Sequence, residues 1–131
     1  MGYWKNHQAE TTAHLPQRLG TYVVATFAQA TAVFNSANCS STKPNDAIGC
    51  LAGQLLAAEL NLANGSSPCI QPVVQQANTF LSGGVVTFGG ATAPGVVYVG
   101  PSGTYTLTPS QRQVAVALAN ALDQYNSNKY C

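Results

Sequence analysis

Apolar residues recur at helical intervals near the end of the chain. Five of them, spaced i, i+4, i+7, i+8 and i+11, fall on one helix face: Val114, Leu118, Ala121, Leu122 and Tyr125. The segment opens with Thr108-Pro109-Ser110-Gln111, a capping box with proline in the first helical position. This pattern predicts an amphipathic helix that begins at Pro109.

A second capping box lies in the first third of the chain. Thr26-Phe27-Ala28-Gln29 has the same form, and apolar residues follow it at helical spacing, so we expect a helix over residues 27–36. The preceding stretch, Thr21-Tyr22-Val23-Val24, is rich in β-branched residues. It predicts either a short strand or an additional turn.

The most apolar helical segment follows Pro44. We expect Asn45 or Asp46 to cap its start and Asn64-Gly65 to end it, because glycine readily adopts the left-handed conformation after a last turn. Its large apolar residues are too numerous for one narrow stripe: Ile48, Leu51, Leu55, Leu56, Leu60 and Leu62. They predict the central, most buried helix.

A further helix signal begins at Ser67-Pro68, a cap followed by proline. Three β-rich runs then lie between glycines and prolines, at residues 85–88, 96–99 and 104–107. They predict two or three short strands in a hairpin or meander. The fold class is therefore a mainly α, four-helix domain with a small β element between the third and fourth helices, spanning residues 1–131 as one unit.

The low charge of the chain limits the kinds of molecule that it could bind. Only 7% of the residues are charged and the net charge is +1, whereas soluble domains average about 25% charged residues. Nucleic acid is an unsuitable partner because phosphate binding needs clustered Lys and Arg side chains. Weak charge repulsion instead favours self-association or contact with an extracellular protein or polysaccharide.

Four cysteines indicate an oxidising compartment. Cys39, Cys50, Cys69 and Cys131 lack zinc-finger spacing, so two disulfides are the better interpretation, and four cysteines allow three pairings. We favour Cys39–Cys50, which would fasten a short loop to a helix start, and Cys69–Cys131, which would tie down the carboxyl end.

No apolar run reaches the length of a membrane span. No leader precedes Gly2, so we expect the leader of an exported protein to have been removed.

The most distinctive side chains lie in Gly2-Tyr3-Trp4-Lys5-Asn6-His7. Tyr3 and Trp4 could form a stacking platform for a sugar or an aromatic ligand, and the other candidate ligand-binding residues are Lys5, Asn6, His7 and His14. Alternatively, Trp4 packs into the helices while its indole N–H finds an acceptor. We expect this hexapeptide to pack against the central and last helices.

A metal site is a weaker hypothesis. His7, Glu10 and His14 could form a two-histidine, one-carboxylate set. His7 and His14 would be about 10 Å apart on one straight helix, which is too far for shared coordination. The alternative is that the histidines are surface groups or donate to a local carbonyl. No cofactor is expected. No nucleophile motif or phosphate-binding glycine loop is present, and Glu59 and Asp46 are interpreted as structural.

The opening hexapeptide resembles the GYWKNH module of secreted and cell-surface proteins, mostly microbial and of unassigned function. Residues 51–65 and 107–126 are also similar to that family, so the resemblance spans most of the chain. It implies an extracellular accessory or surface domain without an established catalytic activity. We therefore expect a non-enzymatic structural, adhesion or assembly module, with a carbohydrate- or metal-binding module as the alternative.

Overall fold

The computed structural model describes residues 1–131 as a mainly α-helical chain with two β-hairpins. The six α-helices are α1 Gly2–Asn6, α2 Gln8–Ala13, α3 Phe27–Ser36, α4 Asp46–Ala63, α5 Gln71–Leu81 and α6 Pro109–Asn126. A 3₁₀-helix covers Pro68–Ile70, and the strands are β1 Gln17–Leu19, β2 Tyr22–Val24, β3 Val86–Phe88 and β4 Ala91–Ala93. The mainly α class is confirmed, but α1 and α2 were not predicted because they are too short to show an apolar period.

The central position predicted for the helix after Pro44 is confirmed. In α4, 13 of the 18 residues are buried, and the helix packs against α3, α5 and most extensively α6. One hydrophobic cluster of 30 buried residues surrounds it. Gly53 allows α4 to lie close to the residue that follows α3, because a Cβ atom at Gly53 would lie 2.7 Å from the Ala37 Cβ.

Both capping boxes form as predicted. In each, the threonine Oγ1 accepts from the backbone N–H of the glutamine three residues later, and the glutamine Oε1 accepts from the threonine N–H. These bonds begin α3 after Thr26 and α6 after Thr108. They satisfy amides that have no partner within the helix.

The start of α4 differs from the expected cap. Asn45 occupies the N-cap position, but its side chain makes no capping bond. Its Oδ1 instead accepts from the backbone N–H of Leu107 at 3.0 Å. Asn45 therefore ties the start of α4 to the segment that leads into α6, a long-range use that local sequence could not indicate.

The helix predicted from Pro68 is divided in the structure. Ser67 caps a 3₁₀-helix by accepting from the backbone N–H of Cys69, and α5 begins only at Gln71. Pro72 thus falls in the first turn of α5, where its missing N–H costs no helical hydrogen bond.

The β element is smaller than the three runs suggested. Val86–Phe88 pairs with Ala91–Ala93, because Gly89 and Gly90, with φ values of 63° and 82°, allow the tight two-residue turn between them. The run 96–99 returns to the end of α5, where Tyr98 N–H donates to the Leu81 carbonyl at 2.8 Å. Residues 104–107 form no strand.

A second hairpin precedes α3. Tyr22–Val24 is a strand, which resolves the alternative left open by the sequence, and it pairs antiparallel with Gln17–Leu19. Gly20 adopts a φ of 65° in the turn, and a Cβ atom there would lie 2.4 Å from the Leu81 carbonyl oxygen. The hairpin turn is therefore packed directly against the end of α5.

Both favoured disulfide pairings are present, Cys39–Cys50 and Cys69–Cys131, and no cysteine is free. Tyr125 Oη donates to the Ser67 carbonyl at 2.8 Å, so α6 and the tail that follows it are each fastened to the segment before α5. None of the six helices combines enough length with enough apolar character to cross a bilayer.

Candidate functional site

Trp4 is an internal residue. Only 3% of its surface is exposed, and its indole Nε1–H donates to Asn61 Oδ1 on α4 at 3.0 Å. The buried hydroxyl of Thr11 donates to the Trp4 carbonyl at 2.7 Å, which joins α1 to α2. Trp4 is therefore packed into the helices, as the second interpretation of the hexapeptide predicted. The acceptor of its indole N–H is a side-chain amide.

A chain of hydrogen bonds continues from Trp4 into the helices. Asn61 Nδ2 donates to Asn126 Oδ1 at 3.0 Å, and Asn126 Nδ2 donates to the backbone and side-chain oxygens of Gln54 at 3.0 and 2.9 Å. Gln54 Nε2 then donates to Asp123 Oδ1 at 3.3 Å. These five hydrogen-bonded side chains, here called the amide relay, join α1 to α4 directly and to α6 through Asn61. The hexapeptide was expected to pack against α4 and α6, whereas α1 packs mainly against α2 and α3.

Tyr3 and His7 form the exposed part of the hexapeptide. Tyr3 is 51% exposed, and its ring stacks on the His7 imidazole with centroids 3.9 Å apart. His7 Nδ1 also lies 2.6 Å from the Tyr3 carbonyl oxygen, and the Tyr3 ring meets Trp4 edge to face. The result is a fixed aromatic pair that faces solvent.

Lys5 and Asn6 serve the short α1 helix. Lys5 is exposed in the last turn, where a cation interacts favourably with the helix dipole. Asn6 Nδ2 donates to the Gly2 carbonyl at 3.0 Å. Neither side chain is directed to a partner elsewhere in the fold, so both remain candidates for a ligand only through their exposure.

The proposed metal ligands are not assembled. His14 is half-buried at the end of α2, with Nε2 at 3.3 Å from Asn64 Oδ1 and its ring edge-on to Trp4. Glu10 is exposed on α2. No group of three His, Cys, Asp or Glu side chains lies close enough to hold a metal ion.

Glu59 is an unusual group that the sequence reasoning treated only as structural. The residue is 8% exposed, and burial raises the pKa of its carboxyl to about 8. Asn78 Nδ2 donates to Oε2 at 3.0 Å, while Oε1 has no partner. The signal was available, because Glu59 is the one charged residue in the apolar run 47–60 of a helix predicted to be buried.

Asn78 extends this contact to the first hairpin. Its Oδ1 accepts from the backbone N–H of Gly20 at 2.8 Å, so a single amide joins α4, α5 and the β1–β2 turn. Glu59 also borders an open surface depression with Gln17 and Gln71. The carboxyl therefore accepts a hydrogen bond within the fold and lies close to the surface.

Comparisons with protein-family models, with curated proteins and with solved structures found no match. The resemblance of the chain to the GYWKNH module thus stays a prediction. The functional interpretation rests on the side chains themselves, namely the buried Trp4, the amide relay and the exposed Tyr3–His7 pair.

Proposed function

We propose that this protein is a non-enzymatic extracellular module with a structural, adhesive or assembly role at a cell surface or in a matrix. The observation that carries the proposal is the internal use of the most distinctive segment. Trp4 is buried and hydrogen-bonded, so its side chain stabilises the fold instead of meeting a substrate.

Cysteine usage supports the location. Both pairs of cysteines are bridged, and disulfides persist mainly in oxidising environments outside the cytosol. Export would place the module where its partners are extracellular proteins, polysaccharides or further copies of itself.

The surface composition supports a role in association. The chain has few charges, and three valines in or near the segment after α5 are at least half exposed: Val85 at 67%, Val97 at 51% and Val99 at 62%. A weakly charged surface with exposed apolar side chains opposes self-association poorly.

Two measurements test the proposal together. Sedimentation velocity over a range of protein concentrations, and co-sedimentation with insoluble polysaccharides, should detect self-association or binding to a polymer. A panel of ester, glycoside, peptide and disulfide substrates should give no turnover above that of heat-denatured protein. Turnover that disappears in Glu59→Gln or His7→Ala, but persists in the surface control Gln124→Ala, would overturn the proposal.

The second candidate is a carbohydrate-binding module, and one observation favours it. Tyr3 is exposed while its ring is held by the stack on His7, and an ordered aromatic face binds a sugar with little loss of conformational entropy. Tyr3→Ala should then abolish glycan binding, whereas Tyr130→Ala, at the other end of the chain, should leave it intact. Equal binding by both variants would eliminate this candidate.

A further inference from the structure

A small, partly open cavity of about 40 Å³ lies beside the Cys39–Cys50 bridge. Three parts of the chain enclose it: the loop before α4, the first turns of α4 and the first three turns of α6. We call it the disulfide cavity. It is separate from the hexapeptide and from the amide relay, and its interpretation does not depend on the proposed function.

Two of the five cations of the chain line this cavity, Lys43 and Arg112, and no carboxylate lines it. The nearest acid along the chain, Asp46, accepts a hydrogen bond from Ser41 Oγ at 2.6 Å and borders a neighbouring depression. In a protein with so few charges, two cations on one cavity give that cavity a positive potential.

Arg112 provides the second observation. Its Nε atom is buried and has no hydrogen-bond partner. A buried donor without an acceptor is destabilising, and the guanidinium group matches a carboxylate through two parallel N–H donors. Nε itself is enclosed, so an anionic group in the cavity would accept from Nη1 and Nη2, which are not enclosed and make no hydrogen bond within the chain.

The rest of the lining is suited to the non-ionic part of a ligand. Asn38 and Asn120 offer amides, and Ala47 and Val116 offer apolar wall. This combination of a few polar groups and apolar surface is typical of small-molecule sites. The volume suits a carboxylate group and the atoms next to it, with the rest of the ligand outside the opening.

We propose that the disulfide cavity binds a carboxylate group, with Arg112 as the bidentate partner and Lys43 as the second cation. Free carboxylic acids and the uronate units of an acidic polysaccharide carry the same group, so both fit this chemistry. The bridge prepares the site, because it fixes the loop on which Ser41 Oγ accepts from the Lys43 backbone N–H at 3.1 Å.

Amide chemical shifts of the ¹⁵N-labelled protein, followed during titration at low ionic strength, test the proposal. The probes are sodium acetate, sodium glucuronate, a polyuronate and sodium sulfate. We expect saturable shifts at Ala47 and Ala119 with the carboxylates. If glucuronate or polyuronate binds more tightly than acetate, the natural ligand is an acidic polysaccharide. If all three bind equally, the natural ligand is a free carboxylic acid. Shifts that do not saturate with any carboxylate, or tighter binding of sulfate than of every carboxylate, would overturn the proposal.

Variants locate the site. Arg112→Gln should weaken glucuronate binding by roughly tenfold or more, since it removes the bidentate charged pair. Lys43→Gln, in an exposed loop, should weaken it less and keeps the test valid if Arg112→Gln does not fold. Arg18→Gln is the charge-matched control on β1 and should bind like the wild type. Equal weakening by all three substitutions would indicate general charge screening and contradict the assignment.

The disulfides supply an independent control. Cys39→Ser/Cys50→Ser should weaken binding because the loop that carries Lys43 is released, whereas Cys69→Ser/Cys131→Ser should not. The comparison is made at a temperature at which circular dichroism finds both variants folded. The opposite order would contradict a site at the first bridge.

Discussion

Asn61 on α4 and Asn126 on α6 are joined side chain to side chain, with Nδ2 of the first donating to Oδ1 of the second at 3.0 Å. Each amide also has a partner beyond this pair, Trp4 for Asn61 and Gln54 for Asn126. The two longest helices and the start of the chain therefore meet through a polar contact whose members depend on one another.

Removing the centre of this relay should be costly. Asn61→Ala leaves both the Trp4 indole N–H and the Asn126 oxygen without their partner, so we expect the free energy of unfolding to fall by about 2–3 kcal/mol. Urea denaturation followed by circular dichroism measures the change. Asn35→Ala, on the exposed face of α3, is the control and should stay within about 0.5 kcal/mol of the wild type. Equal effects of the two substitutions would show that the relay contributes no stability.

Trp4 should behave as a packed residue. We expect its fluorescence emission to be blue-shifted and poorly quenched by iodide, because the indole is 3% exposed. Trp4→Phe keeps an aromatic ring but removes the N–H donor, so it should destabilise the fold by about 1–3 kcal/mol. Tyr3→Phe, a nearby exposed position, should have almost no effect. A red, readily quenched emission would be incompatible with the buried position.

Glu59 should make stability depend on pH. Its pKa is raised from 4.5 to about 8 in the folded state, so between these values the folded protein retains a proton that the unfolded chain has lost. The contribution of Glu59 to the free energy of unfolding should therefore be most favourable below pH 4.5. It should fall as pH rises towards 8, with a limiting slope of about 1.4 kcal/mol per pH unit.

Glu59→Gln isolates this contribution. The variant keeps an oxygen that can accept from Asn78 but cannot ionise, so it should be more stable than the wild type at pH 8 and similar at pH 4. Denaturant unfolding at several pH values measures the difference. Glu10→Gln, an exposed carboxyl on α2, is the control. Parallel pH profiles for the wild type and Glu59→Gln would contradict the assignment.

The two disulfides should contribute unequally. The bridges join residues 11 and 62 positions apart, and the chain-entropy relation gives about 3 and about 4 kcal/mol for loops of these sizes. We expect Cys69→Ser/Cys131→Ser to lower the melting temperature more than Cys39→Ser/Cys50→Ser. Calorimetry of both variants at equal concentration decides, and the reverse order would indicate that the loop length does not govern the difference.

Local sequence predicted the helices well where their boundaries depend on neighbouring residues. The helix expected over residues 27–36 is observed as Phe27–Ser36, and the helix expected from Pro109 begins there. A capping box satisfies backbone amides within four residues, so its signal is complete in the sequence. The pairing of Val86–Phe88 was harder to predict, since Ala91–Ala93 has weak strand propensity and the turn glycines decided the partner.

The candidate site was only partly accessible to sequence reasoning. The hexapeptide was recognisable as unusual, but whether Trp4 served a ligand or the fold depended on Asn61, 57 residues away. The same holds for Lys43 and Arg112, which are distant in sequence and share one cavity. No local pattern encodes which polar residues of distant segments will face each other.

By itself, the sequence determined the starts of α3 and α6, the buried character of α4 and the number of bridges that four cysteines allow, because these depend on local hydrogen bonds, apolar content and composition. The tertiary structure alone decided the amide relay, the contact of Glu59 with Asn78 and the position of two cations beside the first disulfide. These features arise when helices distant in the chain pack together and remove selected side chains from water.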